Sequence, residues 1–479
     1  MPDSQNCQFN LTAPGSRDTM EAMQQSMLGL GWGAIIRLGL VQASLGAVVV
    51  LATSVLNRVM VVELALPAVL PGLLVCLHYL VQISRPRMGH GSDQGQRRTP
   101  WILAGMMVLA TGGFLGAIGT IWMAHQVALG IAVAVLAFIM IGLGVSAAGT
   151  SLLVILAKHV IPARRAPAAT IVWMMMIFGF ALTAGLAGKF LDPFSPERLL
   201  LVTGVVGLVA MSISTLALWG VEPRSALANE GAVSASQAPK VSFGFALKEV
   251  WADPIAKRFT QFVFLSMLAY SAQDLILEPF AGTVFHMTPG QSTQLSGVHH
   301  SGVLAGMIIV AIAGSRLSGR PWGSLPRWII AGCIGSAVAS GGLMVAGLIG
   351  PGWPLEPTVA LLGFANGVFS IAAIGSMMRL AAEGVVGREG IRMGLWGASQ
   401  ALAFGLGGFA GSLAADLARA LTQDAGLAYG SVFGLQGLCF LGAAMLAMRL
   451  ASQSIPVPRG QELEPSASPG LIRASWSSR

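Results

Sequence analysis

Residues 127–156 read VALGIAVAVLAFIMIGLGVSAAGTSLLVIL, a run without one charged side chain. A helix crossing a hydrocarbon core needs about 20 apolar residues, and this run is long enough. The same pattern repeats on either side of it. Apolar stretches predict helices over about 32–55, 61–83, 101–123, 168–190 and 199–220 in the first half. The second half repeats them over about 259–281, 296–314, 328–350, 357–380, 394–416 and 427–448. The fold class expected is all-α integral membrane, with twelve transmembrane helices in two six-helix halves. Only 10% of the 479 residues are charged and 54% are hydrophobic. A soluble domain carries about 25% charged residues, so this chain could not coat a water-facing surface. The 61 glycines suit helices that approach each other closely in lipid.

The division expected is a polar cytoplasmic tail over 1–31, a first half over 32–220, a cytoplasmic linker over 221–258, a second half over 259–448 and a cytoplasmic tail over 449–479. The first thirty residues lack the apolar stretch of a cleavable signal. Of the 28 lysines and arginines, all but Arg58, Lys189, Arg198 and Arg419 then fall on the side of the two termini. That is the positive-inside distribution, and an odd number of helices would destroy it. The formal charge of +8 is therefore a topology signal, with membrane lipid as its partner and no call for nucleic acid. Two six-helix halves joined by a longer linker match the major-facilitator architecture. The loop after helix 2 supports this, with Arg85, Arg87, Gly89, Asp93, Gly95 and the pair Arg97-Arg98. An Asp there can cap a helix end while the basic residues sit at the anionic lipid surface.

Ionisable groups inside a bilayer cost about 2.5–3.5 kcal/mol at a helix centre, so each needs a reason. Gln273, Asp274 and Glu278 lie together in helix 7, the two acids four apart on one face, with Pro279 beside them. They read either as a polar site or partner-helix contact, or as hydrated groups at the periplasmic end of the helix. Asn57, Arg58 and Glu63 fall at the expected turn between helices 1 and 2, where Arg58 can pair with Glu63 or with an acid of helix 7; a structural lock is the favoured reading. Arg37 reads as a snorkelling anchor. His78 in helix 2, and His299-His300 at the expected start of helix 8, are imidazoles that could pack or ligate a metal. No metal-site or redox spacing links the four cysteines. Nucleotide-binding, zinc-hydrolase and serine-nucleophile motifs are missing, so no enzyme is expected.

Five strings together go further: Leu56–Leu64, Gln82–Asp93, Arg97–Trp101, Gln273–Phe280 and Gly297–Gly302. They resemble the PucC/LhaA family of purple phototrophic bacteria, the bacteriochlorophyll delivery branch of the major facilitator superfamily. The resemblance implies an assembly factor for light-harvesting antenna complexes, with the LhaA-like, core-antenna (LH1) role favoured over the peripheral (LH2) one. It implies transient bacteriochlorophyll binding, with His78, His299 and His300 as candidate magnesium ligands. Antenna polypeptides, bacteriochlorophyll synthase and the reaction-centre core complex would be partners, in the inner or intracytoplasmic photosynthetic membrane. The rival expectation is a proton-coupled transporter of a small solute. The topology has a direct check: alkaline phosphatase fused after residue 194 should be active, and fused after residue 240 inactive.

Overall fold

The computed structural model describes residues 30–84, 97–222, 251–314, 323–382 and 389–453. Arg85, Arg87, Gly89 and Asp93 lie outside the described residues, as do 1–29, most of the linker (223–250) and 454–479. Among the described residues, six helices make up the first half: α1 (Trp32–Val50, continued to Glu63), α2 (Val69–Val81), α3 (Thr99–Met123), α4 (Val127–His159), α5 (Pro162–Leu191) and α6 (Pro196–Leu218). The second half is α7 (Pro254–Val284), α8 (Pro289–Ala313), α9 (Leu325–Ile349), α10 (Leu355–Ala382), α11 (Glu389–Thr422) and α12 (Ala425–Gln453). Among the described residues, ten helices are long and apolar enough to cross a membrane. The other two are α2, which is shorter, and α7, which carries the acidic pair.

The halves share one packing scheme. In the first, α1 packs on α5 and α6, α3 on α4 and α6, and α2 on α4; in the second, α7 packs on α11 and α12, α9 on α10 and α12, and α8 on α10. Each contact recurs six helices later, the mark of a structural repeat. The halves meet along two seams, α5 against α8 and α2 against α11. Both termini of the helical bundle lie at one end, here the proximal end; the other is the distal end.

Three boundaries differ from expectation. Helix 1 does not stop near residue 55. It runs on to Glu63 through two π-helical stretches, Leu51–Leu56 and Val59–Glu63. Asn57, Arg58 and Glu63 therefore belong to the last turns of α1, and the turn to α2 occupies 64–68. The i→i+5 bonding of a π turn sets residues five apart over one another, which brings Glu63 to Arg58 and removes the need for a loop. Helix 8 starts seven residues early. Thr288 and Gln291 form a reciprocal capping box with Pro289 at the first turn, so the polar stretch 291–294 is helix and His299-His300 lie well inside it. Helix 7 starts at Pro254, capped by Asp253, inside the segment read as linker.

Two polar anchors also differ. Arg37 donates to the carbonyls of Trp219 and Leu216, so it closes the end of α6 instead of reaching for solvent. The start of α3 is capped by Glu222, which accepts from the backbone N–H groups of Arg98 (2.8 Å) and Thr99 (3.1 Å) and from the Thr99 hydroxyl (2.8 Å). Arg98 is largely buried. Arg97 is exposed at the break before it.

Glycine sets the closest approaches. On α8, a methyl group at Gly302 would lie 2.6 Å from the Ala360 carbonyl, and one at Gly306 would overlap the carbonyl of Phe364. From α10, Gly363 meets the His299 carbonyl and Gly367 the Val303 carbonyl in the same way. The obstacle in each case is backbone, which cannot step aside as a side chain can. Gly363→Ala should therefore destabilise the protein by about 1–3 kcal/mol, seen as a lower melting temperature in detergent. Gly341→Ala, with nothing within 4 Å, should leave it unchanged.

Candidate functional site

Gln273 is fully buried in α7, six residues before its proline, and joins a chain of hydrogen bonds through the second half. Its Oε1 accepts from Gln436 Nε2 of α12 at 2.6 Å, and its Nε2 faces His299 Nε2 of α8 at 2.9 Å. Asn366 of α10 approaches the same histidine nitrogen at 3.3 Å, and its Oδ1 accepts from Ser336 of α9 at 2.8 Å. Five of the six helices of this half are thereby connected. Amide N–H groups can only donate, so His299 Nε2 is the acceptor and its lone pair is committed.

His300 is arranged differently. Its Nδ1 lies 2.9 Å from the Ser296 carbonyl, a pure acceptor, so Nδ1 carries the hydrogen and a neutral ring keeps its lone pair on Nε2. A ring held this way by a backbone carbonyl is the usual arrangement of a metal-ligating histidine. Phe180 of α5 packs edge-on against it, with ring centroids 5.1 Å apart. His78 is buried in α2, its Nε2 2.9 Å from Gln82 Nε2 and its ring against Tyr79. It lies on the α2–α11 seam, where Tyr79 meets Phe404 of α11. The structure thus brings His299 and His300 together with the α7 acids and leaves His78 apart.

Asp274 and Glu278 border a small cavity with Thr53, Ser54, Leu277, Ser296, His299 and His300. Its volume of about 20 Å³ is on the scale of one water molecule. Glu278 is 1% exposed, so the reading of a hydrated helix end does not describe it. Across the seam, Ser54 and Ser296 share a hydrogen bond of 3.0 Å.

Above this cavity the halves are tied at the distal end. Arg58 is almost fully buried, donating to Glu63 at 2.9 Å and to the Met287 carbonyl of the other half at 2.8 Å. It lies against Gly282, where a Cβ would come within 2.5 Å of Nε, so only glycine leaves this space. Asn57 donates to the Leu275 carbonyl at 2.7 Å, one of the carbonyls in the turn that Pro279 disturbs.

Two further residues were not among the sequence candidates. Asp192, at the end of α5, accepts from the Thr288 hydroxyl (2.8 Å) and the Gly290 N–H (3.3 Å) at the start of α8. Asp416, near the end of α11, accepts from the N–H groups of Ala68 (3.0 Å) and Val69 (2.7 Å) at the start of α2. Helices 5 and 11, and 8 and 2, are counterparts in the repeat. Each half thus caps a helix N-terminus of the other with a carboxylate, favourably placed against the helix dipole. The one signal available in sequence was an acid at the distal end of both helices.

A family model described as PUCC protein matches residues 55–455. The chain is 53% identical over 418 residues to a Rhodobacter capsulatus protein called "Bacteriochlorophyll synthase 44.5 kDa chain", covering 87% of this chain and 95% of that one. It is 28% identical over 436 residues to "Protein PucC" of the same organism, covering 87% and 92%. To the R. capsulatus "Uncharacterized protein in puhA-bchM intergenic region" it is 29% identical over 394 residues, covering 80% of each. Among solved structures, the peptide transporter POT aligns with a TM-score of 0.65 at 13% identity, covering 90% of this chain and 98% of that one. The nucleoside transporter NupG aligns with a TM-score of 0.62 at 12% identity, covering 87% and 99%. At that identity the likeness is one of fold, a major-facilitator-like bundle.

The paired caps have a measurable consequence. Replacing both Asp192 and Asp416 by Ala removes two interactions worth about 1 kcal/mol each. In a background without the four native cysteines, a cysteine at Ser296 should then react faster with an impermeant maleimide added from the distal side. An unchanged rate would mean that the caps do not hold the distal end shut.

Proposed function

The chain belongs to the PucC family, and from that membership we propose that it is an assembly factor for bacterial light-harvesting antenna complexes. It brings bacteriochlorophyll, received from its synthase, together with antenna polypeptides in the inner or intracytoplasmic membrane. Its termini face the cytoplasm, as the basic residues at the proximal end favour. The family match over most of the chain is the observation that carries this reading. Relatives named for bacteriochlorophyll synthase and for PucC support the link to photosynthetic pigment biology. The core antenna, beside the reaction centre, is the complex we propose it serves. The identities to PucC and to the puhA–bchM protein, 28% and 29%, do not separate the two antenna types, so this choice rests on the resemblance alone.

The role proposed is binding and hand-over without catalysis. The transporter-like fold supports this, and the relative's name fits a protein that works beside the synthase. Of the candidate ligands, His300 has the right donor: Nε2 keeps its lone pair while Nδ1 is held by a carbonyl. The bound pigment would supply a magnesium ion for that nitrogen. His299 is better suited to structure, because its lone pair is already used. A tetrapyrrole is far larger than a cavity of about 20 Å³, so it does not fit between the halves as they stand. The α5–α8 seam must part at Phe180 for the macrocycle to reach His300.

In a strain lacking the gene, near-infrared spectra of membranes should show selective loss of the core antenna band, with total bacteriochlorophyll and antenna transcripts intact. Loss of the peripheral band instead would reassign the complex served. An unchanged spectrum would overturn the assembly reading and favour the proton-coupled solute transporter, to which Asp274 and Glu278 would also be suited.

A further inference from the structure

The cavity between α1, α7 and α8 has more hydrogen-bond acceptors than hydrogens. Asp274 and Glu278 contribute four carboxylate oxygens. The hydroxyls around them are mostly committed elsewhere. Thr53 donates to the Val49 carbonyl at 3.1 Å, while Ser292 and Thr293 both donate to the Pro289 carbonyl, at 3.2 and 2.8 Å. Ser54 and Ser296 spend one hydrogen on each other and keep one between them for a carboxylate. His300 presents a lone pair. Thr293 reaches Glu278 Oε2 only at 3.4 Å, with its one hydrogen already directed to the shorter contact.

Glu278 Oε1 is buried and has no hydrogen-bond partner. A buried acceptor left unsatisfied costs about 1–3 kcal/mol, more when charged, so something positive belongs beside it. Arg58 makes no hydrogen bond to it. Its two terminal nitrogens are turned to Glu63 and Met287, and the Arg58–Glu63 pair is neutral as a unit.

We propose that Asp274, Glu278, Thr53, Ser54 and Ser296 form a binding site for one sodium ion. The donors are all hard oxygens, the class that alkali and alkaline-earth cations take. Thr53 and Ser54 lie on the π-helical stretch Leu51–Leu56, the kind of helix irregularity that concentrates at functional sites. Space selects among cations. Room for about one water excludes a cation that keeps a hydration shell, as magnesium does. Sodium sheds its water more readily and is smaller than potassium. The ion would neutralise the repulsion between two acids on one helix face, and it would join α7 to α1 and α8 across the junction of the halves. The site is independent of the antenna reading.

The test uses the full chain, purified in detergent, with radiolabelled sodium in a scintillation proximity assay at constant ionic strength in choline chloride. The expected result is saturable binding with a stoichiometry of about one, weakened at least tenfold by Glu278→Gln and by Asp274→Asn and less by Ser54→Ala. Glu356→Gln, exposed at the distal start of α10 and outside the cavity, should bind as the unaltered protein does. Melting of the unaltered protein, which needs no variant to fold, should rise with sodium chloride and not with potassium or choline chloride. Absence of saturable binding and of the melting shift would overturn the proposal and leave protons as the counter-charge. Retained binding in both carboxylate variants, or displacement by calcium at lower concentrations than by sodium, would overturn it equally.

Discussion

Inside hydrocarbon a helix can satisfy its own backbone, but it has no water for a polar side chain. Each buried Gln, Asn, His or carboxylate must find its partner on another helix, and those partners decide how the helices sit. The run Gln436–Gln273–His299–Asn366–Ser336 is the fullest expression of that constraint here, joining α12, α7, α8, α10 and α9. Such hydrogen bonds are worth about 0.6–2 kcal/mol each in membranes, but they are directional where apolar packing is not. They fix the rotation of α7, and so they decide which face carries Asp274 and Glu278 toward α1. The glycine contacts between α8 and α10 bring the backbones close enough for His299 to reach both amides.

The same constraint makes the junction between the halves a place of few, specific contacts. The seams pack through small residues: Gly188 on Gly290 and Gly297 on Gly185 between α5 and α8, and Gly72 on Ser412 between α2 and α11. Among the described residues, polar ties across them lie at the distal end, in the two carboxylate caps, in Arg58 and in Asn57. Halves tied at the distal end in this way, among the described residues, suit the rocking motion by which this fold changes access. A factor that must open to take a large pigment and close again would use the same joint. The small cavity with its surplus of acceptors lies directly beneath those ties, where any change of its charge is felt by both halves.

Sequence alone was enough for the number of helices and their division into sixes. The reason is that hydropathy is a local property, readable one segment at a time. The family was legible too, because its strings are contiguous. Boundaries were less so. Glu63 and the polar stretch 291–294 look like loop until the π turn that pairs Glu63 with Arg58, and the capping box at Thr288, account for them.

What tertiary structure alone decided is the partner of each polar group. Nothing local distinguishes His299 from its neighbour His300, yet one gives its lone pair to amides on α7 and α10 while the other keeps it free of them. Nothing local marks Asp192 and Asp416 as mutual caps of the two halves, since each meets a helix that starts about 100 or 350 residues away. A residue type states what it can donate or accept. The folded bundle, by bringing distant helices to within 3 Å in a medium without water, states to whom.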